Sequence, residues 1–147
     1  MLEVKTIMHA AHEGLVTIGS DAKLIDVAKL LTSGIDIVVV CDSAGTLEGV
    51  ITKTDVVKKI SICEGTTCMC PISSAMTKNV APCQVSDCLK DVSELMRGRH
   101  LKNIPVVDIN NRPIGILTAR EILRSLLSDV EYDETLLLDY VKGIGYR

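Results

Sequence analysis

Thr52 and Asp55, three residues apart behind the apolar run Gly49-Val50-Ile51, are a combination able to hold a small polar ligand. The combination recurs as Thr118 and Glu121 behind Gly115-Ile116-Leu117. A glycine opening a short strand, then a threonine, then an acid about one helical turn on, describes a strand-to-helix corner. Such a corner offers a hydroxyl, free backbone N–H groups and the positive end of a helix dipole beside a carboxylate. A ligand carrying a phosphate and a sugar diol suits that set of groups.

A second chemistry is offered by Cys63, Cys68 and Cys70 in the stretch Ser61 to Pro71. Thiolates at such density can seat zinc, copper(I) or an iron–sulfur cluster, or form a redox pair. The Cys-x4-Cys-x-Cys spacing fits no zinc knuckle well and no histidine lies nearby, so a fourth ligand would have to come from elsewhere or from a second copy. The stretch is therefore read as a small-residue linker, with metal or redox sensing as its alternative. Cys41, Cys83 and Cys88 read as small apolar filler. His9, His12 and His100 are scattered without a nucleophile, and no Gly-x-Ser-x-Gly, His-Glu-x-x-His or phosphate-loop motif occurs. A catalytic role has no residues to carry it, and no enzyme is expected.

The elements that position the two corners repeat as well. Extended segments are expected at Leu15–Ile18 and Asn79–Cys83, each behind an opening, Thr6-Ile7-Met8 or Ser74-Ala75-Met76. Helical faces follow at Leu24, Val27, Ala28, Leu30 and Leu31, and at Leu89, Val92, Leu95 and Met96, with Gly34 and Gly98 near their ends. Strands are expected over 36–41 and 102–107, Pro105 suiting a strand start or edge. The turns Asp42–Gly45 and Asp108–Asn111 lead into the corner strands, and final helices span 54–60 and 119–127. The later elements lie 66 positions apart. The expected fold is α/β (α+β), two β-α-β-β-α repeats packed with pseudo-twofold symmetry, because one unit of that size cannot bury its sheet face alone. Residues 1–60 form the first repeat, 61–71 the linker, 72–128 the second repeat and 129–147 a tail. In that tail Leu136, Leu137, Tyr140 and Val141 share one face of a short helix that Gly143 and Gly145 end, expected to make a dimer or intramolecular contact.

Composition narrows the partners. Hydrophobic residues are 47% of the 147 but aromatics only 2%, with no Trp or Phe, so the interior is aliphatic and a base-stacking surface is disfavoured. A net charge of −3 with no basic run longer than two residues argues against nucleic acid and anionic membranes. No signal-peptide layout opens the chain, and its longest apolar run, Ile37 to Cys41, is far short of a membrane span. A cytoplasmic protein with reduced cysteines is expected.

Taken together, Gly49-Val-Ile-Thr52-x-x-Asp55, Gly115-Ile-Leu-Thr118-x-x-Glu121, Ile104-Pro-Val-Val-Asp108 and the openings at Met8 and Met76 resemble a CBS-domain pair. This cystathionine-β-synthase-type tandem, or Bateman module, covers residues 3 to about 128. The resemblance implies two clefts for adenosine-containing ligands, commonly AMP, ADP or ATP, less often S-adenosylmethionine or NADH, and a pair that dimerises. Carried onto this chain, the first cleft would use Asp55 for ribose, Thr52 near phosphate, and Val50, Leu101 and Ile104 against adenine. Lys102, with Lys53 or Lys78, would meet phosphate oxygens. The second cleft would use Thr118, Glu121, Ile35, Ile37 and Ile116, with Arg120 as phosphate ligand. Glu121 is one methylene longer than the family's Asp, and Asp36 stands where the other repeat has Lys102, so the second cleft is expected to be the weaker. The implied function is a stand-alone regulatory module with no required cofactor. It would bind adenine nucleotide as a regulatory ligand, form a homodimer, and signal to an unknown effector protein. The alternatives are a metal- or redox-responsive protein and a structural dimeric adaptor with empty clefts.

Overall fold

The computed structural model describes residues 2–62, 64–65 and 67–142, without the side chains of residues 67 and 131–142. Cys63, Gly143 and Gly145, and the side chains of Leu136, Leu137, Tyr140 and Val141, lie outside the described residues. The first repeat holds α1 (Met8–Glu13), β1 (Thr17–Gly19), α2 (Leu24–Leu31), β2 (Ile37–Cys41), β3 (Leu47–Thr52) and α3 (Lys53–Ser61). The second holds α4 (Leu89–Gly98), β4 (Asn103–Val107), β5 (Pro113–Thr118) and α5 (Ala119–Lys142). Short 3-10 turns at Val4–Ile7 and Ile72–Ser74 open the repeats. No helix among the described residues is long and apolar enough to cross a membrane.

β1, β2 and β3 form one sheet, β1 parallel and β3 antiparallel to the central β2; β4 and β5 form an antiparallel pair. The missing third strand of the second sheet has a covalent cause. In the first repeat the N–H of Val39 donates to the carbonyl of Val16 at 2.8 Å. The residues 66 positions on are Pro105 and Pro82, and Pro105 has no N–H to give. The extended segment expected at Asn79–Cys83 is thereby reduced to one bridge, in which Cys83 N–H reaches the Pro105 carbonyl at 3.0 Å and Val107 N–H the Cys83 carbonyl at 2.9 Å. Pro105 thus sits mid-strand, not at a strand start, with its nitrogen on the edge away from β5, so that no ladder bond to β5 is lost.

The hairpin turns are near copies. Oδ1 of Asp42 accepts from the N–H groups of Ala44 and Thr46, both at 2.9 Å, and Oδ1 of Asp108 from those of Asn110 and Arg112, at 2.9 and 3.0 Å. The helix ends differ more. Gly34 follows α2 with a φ of 94°, but its counterpart after α4 is His100, at 55°, while Gly98 is the last residue of that helix. α5 runs without a break through Ser128 into the residues expected to be a separate tail.

Each repeat lends its opening to the other. Val4 and Ala11 are buried in a core with Leu89, Val92, Met96, Ile104 and Leu117. Ile72 and Met76 are buried with Leu24, Val27, Val38 and Ile51. Bridges Glu3–Cys88 and Lys23–Pro71 tie down the exchanged segments. Gly49 and Gly115 open their strands because those segments cross directly over them. A Cβ on Gly49 would lie 2.6 Å from the Thr77 carbonyl oxygen, and one on Gly115 would lie 3.0 Å from Ala11 Cβ. Ile37, Val39 and Ile116 form a third cluster between the sheets, with Val50 against it.

Candidate functional site

Strand alternation decides what each corner presents. Ile51 and Leu117 are fully buried in the cores of their own repeats, so their neighbours Val50, Thr52, Ile116 and Thr118 belong to the face between the repeats. Thr52 then caps α3. Its hydroxyl oxygen accepts from Asp55 N–H at 3.4 Å, while Asp55 Oδ2 accepts from Thr52 N–H at 2.9 Å and from the Thr52 hydroxyl at 3.1 Å. The other oxygen, Oδ1, accepts from the hydroxyl of Thr77 at 3.1 Å. Thr77 is held there by two backbone bonds to Val50, at 2.8 and 3.0 Å. No motif singles Thr77 out in the sequence, although its neighbour Met76 marks the repeat opening.

The second corner begins the same way, with Thr118 Oγ1 accepting from Glu121 N–H at 3.0 Å. The longer side chain then diverges. Oε2 of Glu121 is buried and has no hydrogen-bond partner among the described residues.

The other residues expected at the clefts are distributed over several places. Ile104 is fully buried among Leu117 and Ile122 in the second core and offers no open wall. The β4 residue on the inter-repeat face is Asn103, paired in register with Thr118 as Ile37 is with Thr52. The 66-residue offset from Ile37 was the signal for it. Ile35 packs on the first core, not across at the second corner. Lys53 Nζ lies 3.5 Å from Asp36 Oδ1, an exposed ion pair between the start of α3 and the residue before β2. Lys102 gives its carbonyl to Ala119 N–H at 2.8 Å, which sets its backbone beside the Thr118 corner. Lys78 is exposed just after Thr77. Leu101 lines a hollow of about 360 Å³ between α4 and α5, and Arg120 lines a shallow groove along α5 with Leu123 and Leu127.

Cys68 is exposed and Cys70 partly buried, and among the described residues no three His, Cys, Asp or Glu side chains are grouped to hold a metal. Burial, then the nearby Asp87 charge, pushes the Cys83 thiol up to about 12, and burial with Asp42 and Glu48 raises that of Cys41. Both stay protonated packing groups at neutral pH.

A family model described as CBS domain matches residues 4–62 and 72–128. The uncharacterized protein MJ1404 of Methanocaldococcus jannaschii is 27% identical over 128 residues, covering 84% of this chain and 28% of its own length. The chain spans 28%, 21% and 63% of the first three curated relatives it matches. Among solved structures, the CBS-domain containing protein ATU1752 from Agrobacterium tumefaciens is 30% identical, with a TM-score of 0.71 over 83% of this chain and 91% of that one. The CBS domain pair of protein MJ0100, in complex with 5′-methylthioadenosine and S-adenosyl-L-methionine, is 26% identical, with a TM-score of 0.74 over 88% and 98%.

Proposed function

Since this chain belongs to the CBS domain family, we propose that it is a regulatory module, not an enzyme, that binds an adenosine-containing ligand at the corners between its repeats. The observation that carries this reading is the Thr77–Asp55 hydrogen bond, which joins the opening of one repeat to the acid of the other. A ribose diol competing for that carboxylate would loosen a contact that crosses the repeats. Ligand binding then has different free energies in the clasped and unclasped states, which regulation requires. The ligands of MJ0100 support an adenosyl ligand as the class. Adenine nucleotides, AMP, ADP or ATP, are the members of that class we place first.

At the first corner Asp55 takes the sugar hydroxyls and Thr52 and Val50 border them, with Lys78 the exposed cation nearest Thr77. At the second, Glu121, Thr118 and Ile116 play these parts. The module acts in the cytoplasm as a homodimer through α4 and α5, whose hollow and exposed Leu123 and Leu127 offer an apolar surface. An effector protein reads the change.

The test is a thermal-shift panel of AMP, ADP, ATP, S-adenosylmethionine, NADH and zinc on the intact chain. A ligand of the native state raises apparent stability as RT ln(1 + [L]/Kd). A rise with an adenosyl compound supports the reading; a flat panel favours an adaptor with empty clefts.

A further inference from the structure

The helices that close the two repeats are unequal. α3 ends at Ser61 after 9 residues, whereas α5 runs on past Leu127, the equivalent position, to complete 24. At 1.5 Å per residue α5 is about 36 Å long, and roughly 22 Å of it lies beyond the point where α3 stops. Its inner side is settled, since Ile122 is buried in the second core and Leu126 packs against it.

The outer side carries a pattern. Arg120, Leu123, Arg124 and Leu127 are exposed and, with Ser128, line a shallow groove of about 390 Å³ along the helix. At i, i+3, i+4 and i+7 they share one stripe, turned away from Ile122 and Leu126. Glu121, the acid of this first half, lies off the stripe with Oε2 buried. The same period continues along the helix through Glu131, Glu134, Leu138 and Val141. The stripe thus keeps its aliphatic residues and reverses its charge, basic in the first half and acidic in the second. Beyond Ser128 the acids Asp129, Glu131, Asp133, Glu134 and Asp139 stand against Lys142 alone.

Exposed leucines flanked by arginines fit an apolar surface that bears acids. The second half of α5 is such a surface, but an unbroken helix carries that half away from the first, so one cannot fold back over the other. A second copy can supply it. Laid antiparallel across Leu127, two α5 helices set the basic half of each against the acidic half of the other, with the leucines between them. A parallel pair would set like charges together along its whole length. α3 is a poorer bed for the same acids: it has exposed Val57 at the position of Leu123, but Ser61 at that of Leu127, and there it ends.

We infer that the groove of Arg120, Leu123, Arg124 and Leu127 is filled by the acidic half of α5 from a second copy, in an antiparallel twofold pair of helices centred near Leu127. This rests on the dimer proposed above, and names its direction and the segment that covers each groove. The interface is isologous, each chain giving the other what it receives. Because its direction is set by exposed charges, the pairing weakens as salt rises.

Charge reversal in the intact chain, read by sedimentation equilibrium, tests it. Arg120→Glu with Arg124→Glu makes both halves of the stripe acidic, and Glu131→Arg with Glu134→Arg makes both basic. Each double variant is expected to raise the dimer dissociation constant by at least about tenfold, because like charges then face one another. Mixed in equal amounts, the two should form a heterodimer, and all four changes in one chain should restore the homodimer. A role of these residues in the fold of a single chain would give neither recovery. The inference is overturned if either double variant dimerises as the unaltered chain does, or if neither mixing nor recombination restores the dimer. An unaltered chain that sediments as a monomer would instead overturn the dimer reading itself, and this inference with it.

Discussion

The hydroxyl of Thr77 donates to Oδ1 of Asp55 at 3.1 Å, joining the segment that opens the second repeat to the helix that closes the first. The bond is short-range in space and 22 residues long in sequence. It makes the acid at the first corner both a helix cap and a fastening between repeats.

Replacing Thr77 with Val keeps the side-chain shape and removes that donor. Stability should fall by about 1 kcal/mol, the usual net contribution of one such hydrogen bond at a partly exposed site. Affinity at the Asp55 corner should rise, because a ligand hydroxyl no longer has a competitor. Urea unfolding beside calorimetry checks both, and a Val variant with weakened binding at that corner would contradict the clasp.

Glu121→Gln replaces a buried, unpartnered carboxylate oxygen with a neutral amide. The ligand-free protein should gain about 1 kcal/mol, since a charged group buried without a partner costs more than a neutral one in the same place. The readout is the urea midpoint without ligand, and a lowered midpoint would mean that Oε2 is satisfied in solution.

Gly49→Ala brings a Cβ within 2.6 Å of the Thr77 carbonyl oxygen, which accepts from Val50 N–H at 3.0 Å while Thr77 N–H donates to the Val50 carbonyl at 2.8 Å. The strand and the Thr77 segment have to separate, at a cost of about 1–3 kcal/mol. Gly115→Ala meets Ala11 at 3.0 Å and should cost less. Paired chemical denaturation of the two variants tests the order.

Leu123 is 56% exposed on α5 beside the hollow shared with α4. Leu123→Glu should convert a dimer to a monomer in sedimentation equilibrium. Its cost to the fold of each chain should stay within about 0.5 kcal/mol, as for other surface changes. A variant that sediments as the unaltered chain does would exclude this face.

Cys83 supplies a pH dependence. Its thiol titrates near 9.0 when unfolded and is pushed up to about 12 in the fold, chiefly by burial. The unfolded chain therefore loses this proton first as pH rises, and stability falls through the window between those values. Cys83→Val should flatten that part of the curve. In the folded protein at neutral pH the exposed Cys68 should alkylate well before Cys83.

What the sequence determined by itself was whatever depends on neighbours along the chain. Cap chemistry at Thr52 and Thr118, turn chemistry at Asp42 and Asp108, and apolar spacing in α2 and α4 are local, and each appears where its residues require it. Duplication made the order of elements legible, since the same local signals recur 66 positions apart. The fold class followed from that order.

Only the tertiary structure decided which groups meet. Ile104 and Asn103 are adjacent in sequence and both suit a strand, but alternation sends one into the second core and the other to the face between repeats. Thr77 reaches Asp55 because the repeats exchange their openings, an arrangement set by core burial and not by any signal within the segment. The two acids look equivalent along the chain. Their hydrogen-bond states differ because Thr77 answers Asp55 from the other repeat, while the longer Glu121 side chain carries one oxygen into an interior that offers it no donor.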